Sequence, residues 1–150
     1  MEQRLNVHAK GQNALKLLFS IGGYLKKSPL EQGLLELIYF RVSQINGCAY
    51  CLDMHSKDAR AGGETEQRLY GLSAWQETPY YTPKERAALE WAEAITRCHV
   101  PDESYAIAKE QFSDEELIDL TFAVTTINTW NRLNLAFPTV PGTYQAGQFG

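Results

Sequence analysis

Three short segments of the chain carry the residues that begin helices. In residues 28–31, 82–85 and 113–116, a serine or threonine stands three residues before a glutamate. Such a pair caps a helix, because the hydroxyl and the carboxylate each accept a hydrogen bond from a backbone N–H group left free at the helix start. Pro29 and Pro83 add a residue that suits the first helical turn. The three segments predict helices over about 29–45, 83–98 and 114–135.

Weaker signals predict helices over much of the remaining chain, and no segment is predicted to form a sheet. Apolar residues recur at helical spacing, and the Gly62-Gly63 pair is typical of a helix end. No stretch shows the sustained alternation of a strand. The predicted fold class is all-α, a helical bundle of six to seven helices. The further helices are expected over 12–26, 48–61, 64–72 and 103–111.

The length of 150 residues suits one domain with a real hydrophobic core. We therefore expect a single domain over residues 1–150, in which 1–11 and 138–150 are irregular or peripheral. The tail holds two prolines and three glycines, so it is expected either to drape over a neighbouring subunit or to be disordered. The helix over 29–45 is apolar nearly all round, which is typical of a helix at the centre of a bundle.

Charge and hydropathy exclude several classes of function. The formal net charge is -4 and no basic block is present, so a nucleic-acid partner is not expected. No apolar run is long enough to span a membrane, and the N-terminus lacks the apolar core of a signal peptide. We therefore expect a cytoplasmic protein that does not bind membranes. In that compartment a C-x-x-C motif indicates redox or metal chemistry rather than a disulfide framework.

The candidate chemistry lies in residues 36–55. Glu36 stands on the apolar helix, and Cys48, Cys51 and His55 follow a break at Asn46-Gly47. On a helix over 48–61 the two cysteines and the histidine share one narrow face. The free N–H groups and the helix dipole at its start favour thiolates, which are the reactive form of cysteine. From this physics alone Cys48, nearest the helix start, is the stronger nucleophile.

These residues resemble the AhpD-like alkylhydroperoxidases of the carboxymuconolactone decarboxylase superfamily. The shared pattern is E-x11-C-x-x-C-x-x-x-H, and INGCAYC, the pair Met54-His55 and the segment Asn128 to Arg132 extend the likeness. The resemblance implies an all-helical fold and a peroxidase that reduces small alkyl hydroperoxides. It also implies no bound cofactor, an external thiol or lipoyl-type reductant, and a homo-oligomer, either a trimer or a hexamer.

The resemblance assigns a role to each motif residue. Cys51 is implied to attack the peroxide and Cys48 to resolve the product as a disulfide, while His55 and Glu36 relay protons. This order reverses the ranking of the two thiols from helix physics, and we follow it because His55 lies one turn from Cys51. The family carries histidine just before its second cysteine, and here that position is Tyr50.

Other interpretations of the same residues stay open at this point. The protein could be a redox sensor without turnover, or the cysteines and His55 could form a zinc site with Cys98 or His99 as the fourth ligand. Cys98 is otherwise expected to be a small hydrophobe at the end of its helix. Glu36 could face solvent. Asn131 and Arg132 could either line a subunit interface or hold the motif helix.

Overall fold

The computed structural model describes residues 4–150, and this part of the chain is all-α, as predicted. It contains eight α-helices and one 3-10 helix, slightly more than the six to seven expected. The extra elements are a one-turn helix in the N-terminal segment and the 3-10 helix, which follows the fifth helix directly. The elements are α1 Val7–Lys10, α2 Gln12–Lys26, α3 Gln32–Asn46, α4 Ala49–Ala61, α5 Glu66–Gly71, the 3-10 helix Leu72–Glu77, α6 Pro83–Thr96, α7 Asp102–Gln111 and α8 Asp114–Ala136.

Two of the three predicted capping boxes form. The Thr82 hydroxyl accepts from the Glu85 N–H at 3.1 Å, and the Glu85 carboxylate accepts from the Thr82 N–H at 2.8 Å. Ser113 and Glu116 make the same reciprocal pair at 3.1 and 3.0 Å. Both boxes satisfy backbone donors that the helix itself cannot reach, so α6 and α8 begin where the sequence predicted.

The prediction of a third capping box, at Ser28 and Glu31, was wrong. The Ser28 hydroxyl donates to the Leu25 carbonyl at 2.7 Å and so closes the end of α2 instead of opening α3. Glu31 becomes the N-cap residue of α3, and the helix begins at Gln32 rather than near 29. Leu30, in the connecting turn, is buried in the core. The Ser28 hydroxyl satisfies a carbonyl left free at the end of α2, and it does not cap α3 because Glu31 occupies the N-cap position of that helix.

The central helix is α3, as predicted. It packs against α4, α6, α8 and the 3-10 helix, and its buried apolar residues belong to one hydrophobic core shared by most of the helices. Glu36 and Ser43 are the polar residues of α3 that are buried with them. Within residues 4–150, no helix has both the length and the apolar character that crossing a bilayer requires.

The C-terminal segment, residues 137–150, packs on its own chain. It was expected to drape over a neighbouring subunit or to be disordered. The expectation of disorder was wrong, and contact with a neighbouring subunit stays a prediction. Tyr144 is only 2% exposed. Two charged side chains of α4 hold the segment, since Lys57 Nζ donates to the Tyr144 carbonyl at 3.0 Å and Asp53 accepts from the Gly142 N–H at 2.9 Å. The segment therefore covers one side of α4.

Candidate active site

The two motif cysteines lie at the turn between α3 and α4. Gly47 ends α3 in the left-handed region, with φ of 69°, a conformation that glycine adopts without steric cost. Cys48 is the N-cap residue of α4, and its sulfur accepts from the Cys51 N–H at 3.4 Å. The two sulfurs are joined in a disulfide, and both residues are 1% exposed. The turn thus places a buried redox pair at the start of a helix.

The sharp turn also brings α3 alongside α4, and Glu36 meets His55. His55 Nδ1 lies 2.8 Å from Glu36 Oε2, and both side chains are buried. Because a carboxylate accepts, Nδ1 carries the hydrogen, and in the neutral ring Nε2 is left as the basic nitrogen. Gln32 donates to the other Glu36 oxygen at 3.1 Å, so this carboxylate is satisfied on both oxygens. The interpretation of Glu36 as a solvent-facing residue was wrong.

A cavity of about 680 Å³ opens beside this pair. Cys51, His55 and Glu36 line the cavity, whereas Cys48 does not and lies behind Cys51. The volume is in the range of pockets that hold small organic molecules. Aromatic side chains make up much of the wall, among them Phe19, Tyr39, Tyr50, Trp130, Tyr144 and Phe149. Of the two cysteines, Cys51 is therefore the one that a molecule in this cavity could contact.

Tyr50 is half-buried and lines the cavity at the position where the resembled family has histidine. Burial raises its pKa, and the nearby carboxylates of Asp53 and Asp58 raise it further. The phenol therefore stays protonated near neutral pH and can donate a hydrogen bond, but it cannot serve as a base there.

Polar side chains from α8 hold the turn that carries Cys48. Asn46 Nδ2 donates to Asn128 at 2.9 Å and to Asn131 at 3.0 Å. Asn131 Nδ2 in turn donates to Ser43 Oγ at 3.0 Å, and Asn131 is fully buried. Of the two expectations for Asn131, a place at a subunit interface was wrong, since the residue is fully buried, and its bonds hold the end of α3 rather than the motif helix α4 itself. Arg132 is exposed and bonds back to Asn128.

Asn134 is a site residue that sequence reasoning missed. Its side-chain N–H group lies 3.8 Å from the Cys51 sulfur, and it also donates to the Trp130 carbonyl. The signal that could have identified it is the recurrence of asparagine every three residues at 128, 131 and 134 on α8. A helix presents such residues near one face, so this face of α8 is the polar one that meets the redox pair.

Asp58 and Tyr144 were missed as well. The Tyr144 hydroxyl lies 2.8 and 3.0 Å from the two Asp58 oxygens, and the Gly147 N–H donates to Asp58 Oδ1 at 2.9 Å. An Asp58 oxygen, a Glu36 oxygen and a His55 ring nitrogen all lie within 4.8 Å of one another. Their hydrogen bonds are already made inside the protein, and this favours a hydrogen-bonded network over a metal centre at these residues.

The arrangement proposed for zinc does not form. Cys48 and Cys51 are bonded to each other, and in residues 4–150 neither belongs to a group of three close potential ligands. Cys98, the other candidate ligand, lies just past the end of α6, where it is exposed and has a φ of 55°. His99 is exposed next to it.

Comparison with known proteins agrees with this site. The family model for the carboxymuconolactone decarboxylase family matches residues 12–94, more than half of the chain, and these residues include the whole motif from Glu36 to His55. The chain belongs to the carboxymuconolactone decarboxylase family. Within it, the chain is 44% identical over 139 residues to the uncharacterized protein YdfG of Bacillus subtilis (strain 168), covering 91% of this chain and 95% of that protein.

Two solved structures have the same fold. One is a protein of unknown function from Agrobacterium tumefaciens that has been linked to the antioxidant defence protein AhpD. It is 38% identical with a TM-score of 0.91, and the match covers 95% of this chain and 100% of that one. The other is an uncharacterized peroxidase-related protein from Silicibacter sp. TM1040, 25% identical with a TM-score of 0.78, covering 91% of this chain and 74% of that one. The chain is therefore an AhpD-like member of the family.

Proposed function

We propose that the protein is a thiol-dependent peroxidase that reduces organic hydroperoxides through a Cys48/Cys51 dithiol–disulfide cycle. One observation supports this proposal above the others. Cys51 faces a largely aromatic cavity that it shares with the buried Glu36–His55 pair, and its disulfide partner Cys48 lies directly behind it. A nucleophile, a proton carrier and a resolving thiol thus meet at one pocket.

In the first step the Cys51 thiolate attacks the distal oxygen of the hydroperoxide. The S–O bond forms as the O–O bond breaks, so the sulfur is oxidised to a sulfenic acid and the peroxide is reduced to an alcohol. His55 takes the thiol proton and passes it to the departing alkoxide, while Glu36 holds the ring through Nδ1. Asn134, whose side-chain N–H group lies 3.8 Å from the sulfur, stabilises its negative charge.

In the second step the Cys48 thiol attacks the Cys51 sulfenic sulfur. The disulfide forms and hydroxide leaves, taking up the Cys48 proton as water. The sum is one hydroperoxide and two thiols converted to one alcohol, one water and one disulfide. The disulfide bond between these residues is the product state of this cycle.

An external dithiol must then return two electrons and two protons. Both cysteines are 1% exposed, so the reductant must enter through the cavity and attack Cys51. Cys48 then leaves as a thiolate, which the Cys51 N–H at the start of α4 stabilises. Because both sulfurs are buried, a slender arm such as a lipoyl group or a small thiol suits this attack better than a bulky protein thiol.

The test is a coupled assay with cumene hydroperoxide and three reductants: dihydrolipoamide, dithiothreitol and reduced thioredoxin. We expect turnover with dihydrolipoamide and a Cys48–Cys51 disulfide by mass spectrometry after each single turnover. A disulfide that forms once and is not recycled by any of the three would indicate a redox sensor instead. Absence of peroxide consumption by the reduced protein would refute the proposal.

We also propose that the chain forms a homo-oligomer, a trimer or a hexamer. Apolar side chains stand exposed on two neighbouring helices, Leu17 on α2 and Ile118 and Phe122 on α8, and each is more than half exposed. Contact with another subunit would remove this surface from water. Light scattering that gives the mass of a monomer, 16.9 kDa, would refute this proposal.

A further inference from the structure

The C-terminal segment brings a tyrosine hydroxyl to the edge of the Glu36–His55 pair. Tyr144 is buried, lines the cavity, and places its hydroxyl within hydrogen-bond distance of both Asp58 oxygens. Asp58 is also close to the pair, since one of its oxygens lies within 4.8 Å of both a His55 nitrogen and a Glu36 oxygen. Two carboxylates therefore stand near one imidazole.

Two carboxylates beside one imidazole create a competition for its hydrogens. If Asp58 accepted from the second nitrogen while Glu36 kept the first, both nitrogens would be protonated and the ring could no longer take a proton from Cys51. In the structure only Glu36 accepts from the ring. Asp58 is supplied with other donors, the Tyr144 hydroxyl and the Gly147 N–H, and both come from the C-terminal segment.

We propose that Tyr144 is a positioning residue, whose hydroxyl occupies Asp58 and so keeps the second nitrogen of His55 unprotonated and available as a base. This role rests on the proposed peroxidase function for its catalytic consequence, but the state of the ring is a property of the protein alone. The proposal also gives the C-terminal segment a function, because the segment carries both donors that occupy Asp58.

The ionisation of Tyr144 fits this role. Burial, the hydrogen bond to Asp58 and the charge of that carboxylate together hold the pKa of the Tyr144 phenol well above its ordinary value. The hydroxyl therefore remains a donor over the whole neutral range. Burial and the charge of Glu36 likewise raise the pKa of Tyr39, so this neighbour of the His55 ring stays neutral too.

The charged and titratable groups around His55 come from several elements. Lys26 from α2 and His8 from α1 also line the cavity, and Lys26 is bonded to the chain end at Gly150. From α8, Asn134 reaches the site, and its amide side chain carries no charge. The groups of α3, α4 and the C-terminal segment that share the cavity with the ring are Glu36, Tyr39, Tyr50, Cys51, Asp58 and Tyr144.

The direct test is the protonation state of the His55 ring nitrogens by ¹⁵N NMR at neutral pH. We expect one protonated and one bare nitrogen in the wild-type protein and a clear gain of the doubly protonated ring in Tyr144→Phe. Tyr70→Phe, which removes the hydroxyl of an exposed tyrosine on α5, is the matched control and should leave the ring unchanged. An unchanged His55 ring in Tyr144→Phe would overturn the proposal.

A double-mutant cycle separates this role from simple loss of packing. In the pre-reduced protein, Tyr144→Phe should slow disulfide formation with cumene hydroperoxide about tenfold, the change expected for one lost hydrogen bond to a charged group. In the Asp58→Asn background, which has no competing carboxylate, the same substitution should change the rate less than about twofold. An equal loss in both backgrounds would overturn the proposal.

The two readouts keep this inference distinct from the peroxidase proposal. If the wild-type protein consumes no hydroperoxide, the peroxidase proposal fails, and the NMR measurement still decides whether Tyr144 controls the protonation of His55. If the protein is a peroxidase but the ring state does not respond to Tyr144→Phe, only the positioning role fails.

Discussion

Replacing Asn131 with alanine should destabilise the protein substantially, although the side chain contacts no substrate cavity. Asn131 is fully buried, accepts from Asn46 Nδ2 at 3.0 Å and donates to Ser43 Oγ at 3.0 Å. Asn46 retains a second acceptor in Asn128, and Ser43 still donates to the Tyr39 carbonyl. The loss is therefore two hydrogen bonds plus a small void, and we expect the free energy of unfolding to fall by about 2–3 kcal/mol.

The assay is urea unfolding followed by circular dichroism, with two comparison variants. Thr129→Ala alters an exposed position of the same helix and should stay within about 0.5 kcal/mol of wild type. Asn131→Asp keeps an acceptor for Asn46 but loses the donor to Ser43 and buries a charge, so it should cost more than the alanine variant. A cost below about 0.5 kcal/mol for Asn131→Ala would refute the view that α8 holds the turn.

Three further predictions follow from the capping, charge and relay geometry. Thr82→Ala should lower the free energy of unfolding by about 1 kcal/mol, because Thr82 caps α6. A cost below about 0.5 kcal/mol in urea unfolding would contradict the assignment of Thr82 as the N-cap. Burial alone would raise the pKa of Glu93, but hydrogen bonds from Trp75 and Arg41 and the Arg41 and Arg97 charges hold it below its ordinary value. The ionised Glu93 stabilises the protein at every pH above the ordinary pKa of a glutamate, and this stabilisation is lost as the pH falls. The stability difference between wild type and Glu93→Gln should therefore shrink on acidification, and thermal unfolding measured across pH tests this. His55→Gln should slow disulfide formation with cumene hydroperoxide about a hundredfold in stopped-flow measurements, and a rate close to wild type would exclude proton transfer by His55.

The sequence predicted local features well where one segment decides them. The boxes at Thr82 and Ser113 need only residues three apart, and both form. Ser28 carries the same local signal, but the end of α2 is equally close and takes its hydroxyl. A capping motif directly after another helix therefore has two possible outcomes, and the sequence does not distinguish them.

The sequence identified the motif residues of the site, but it did not determine which of them make contact. The spacing of Cys48, Cys51 and His55 on one helix indicated a shared face, but the angle at Gly47 decides whether Glu36 reaches His55, and that angle depends on packing. Tyr144 was beyond prediction, since the C-terminal segment has no periodicity and its position on α4 comes from long-range hydrogen bonds. The contact between Asn134 and Cys51 likewise joins residues 83 positions apart.

Attack of Cys51 on the hydroperoxide is the first step of the proposed cycle, and trapping of the sulfenic acid identifies the residue that attacks. The reduced Cys48→Ser protein is treated with one equivalent of cumene hydroperoxide and dimedone, which labels sulfenic acids, and the labelled residue is identified by peptide mass spectrometry. The prediction is a dimedone adduct on Cys51, with no comparable adduct on Cys48 in the matched Cys51→Ser protein. An adduct on Cys48 in Cys51→Ser, with Cys51 unlabelled in Cys48→Ser, would contradict it.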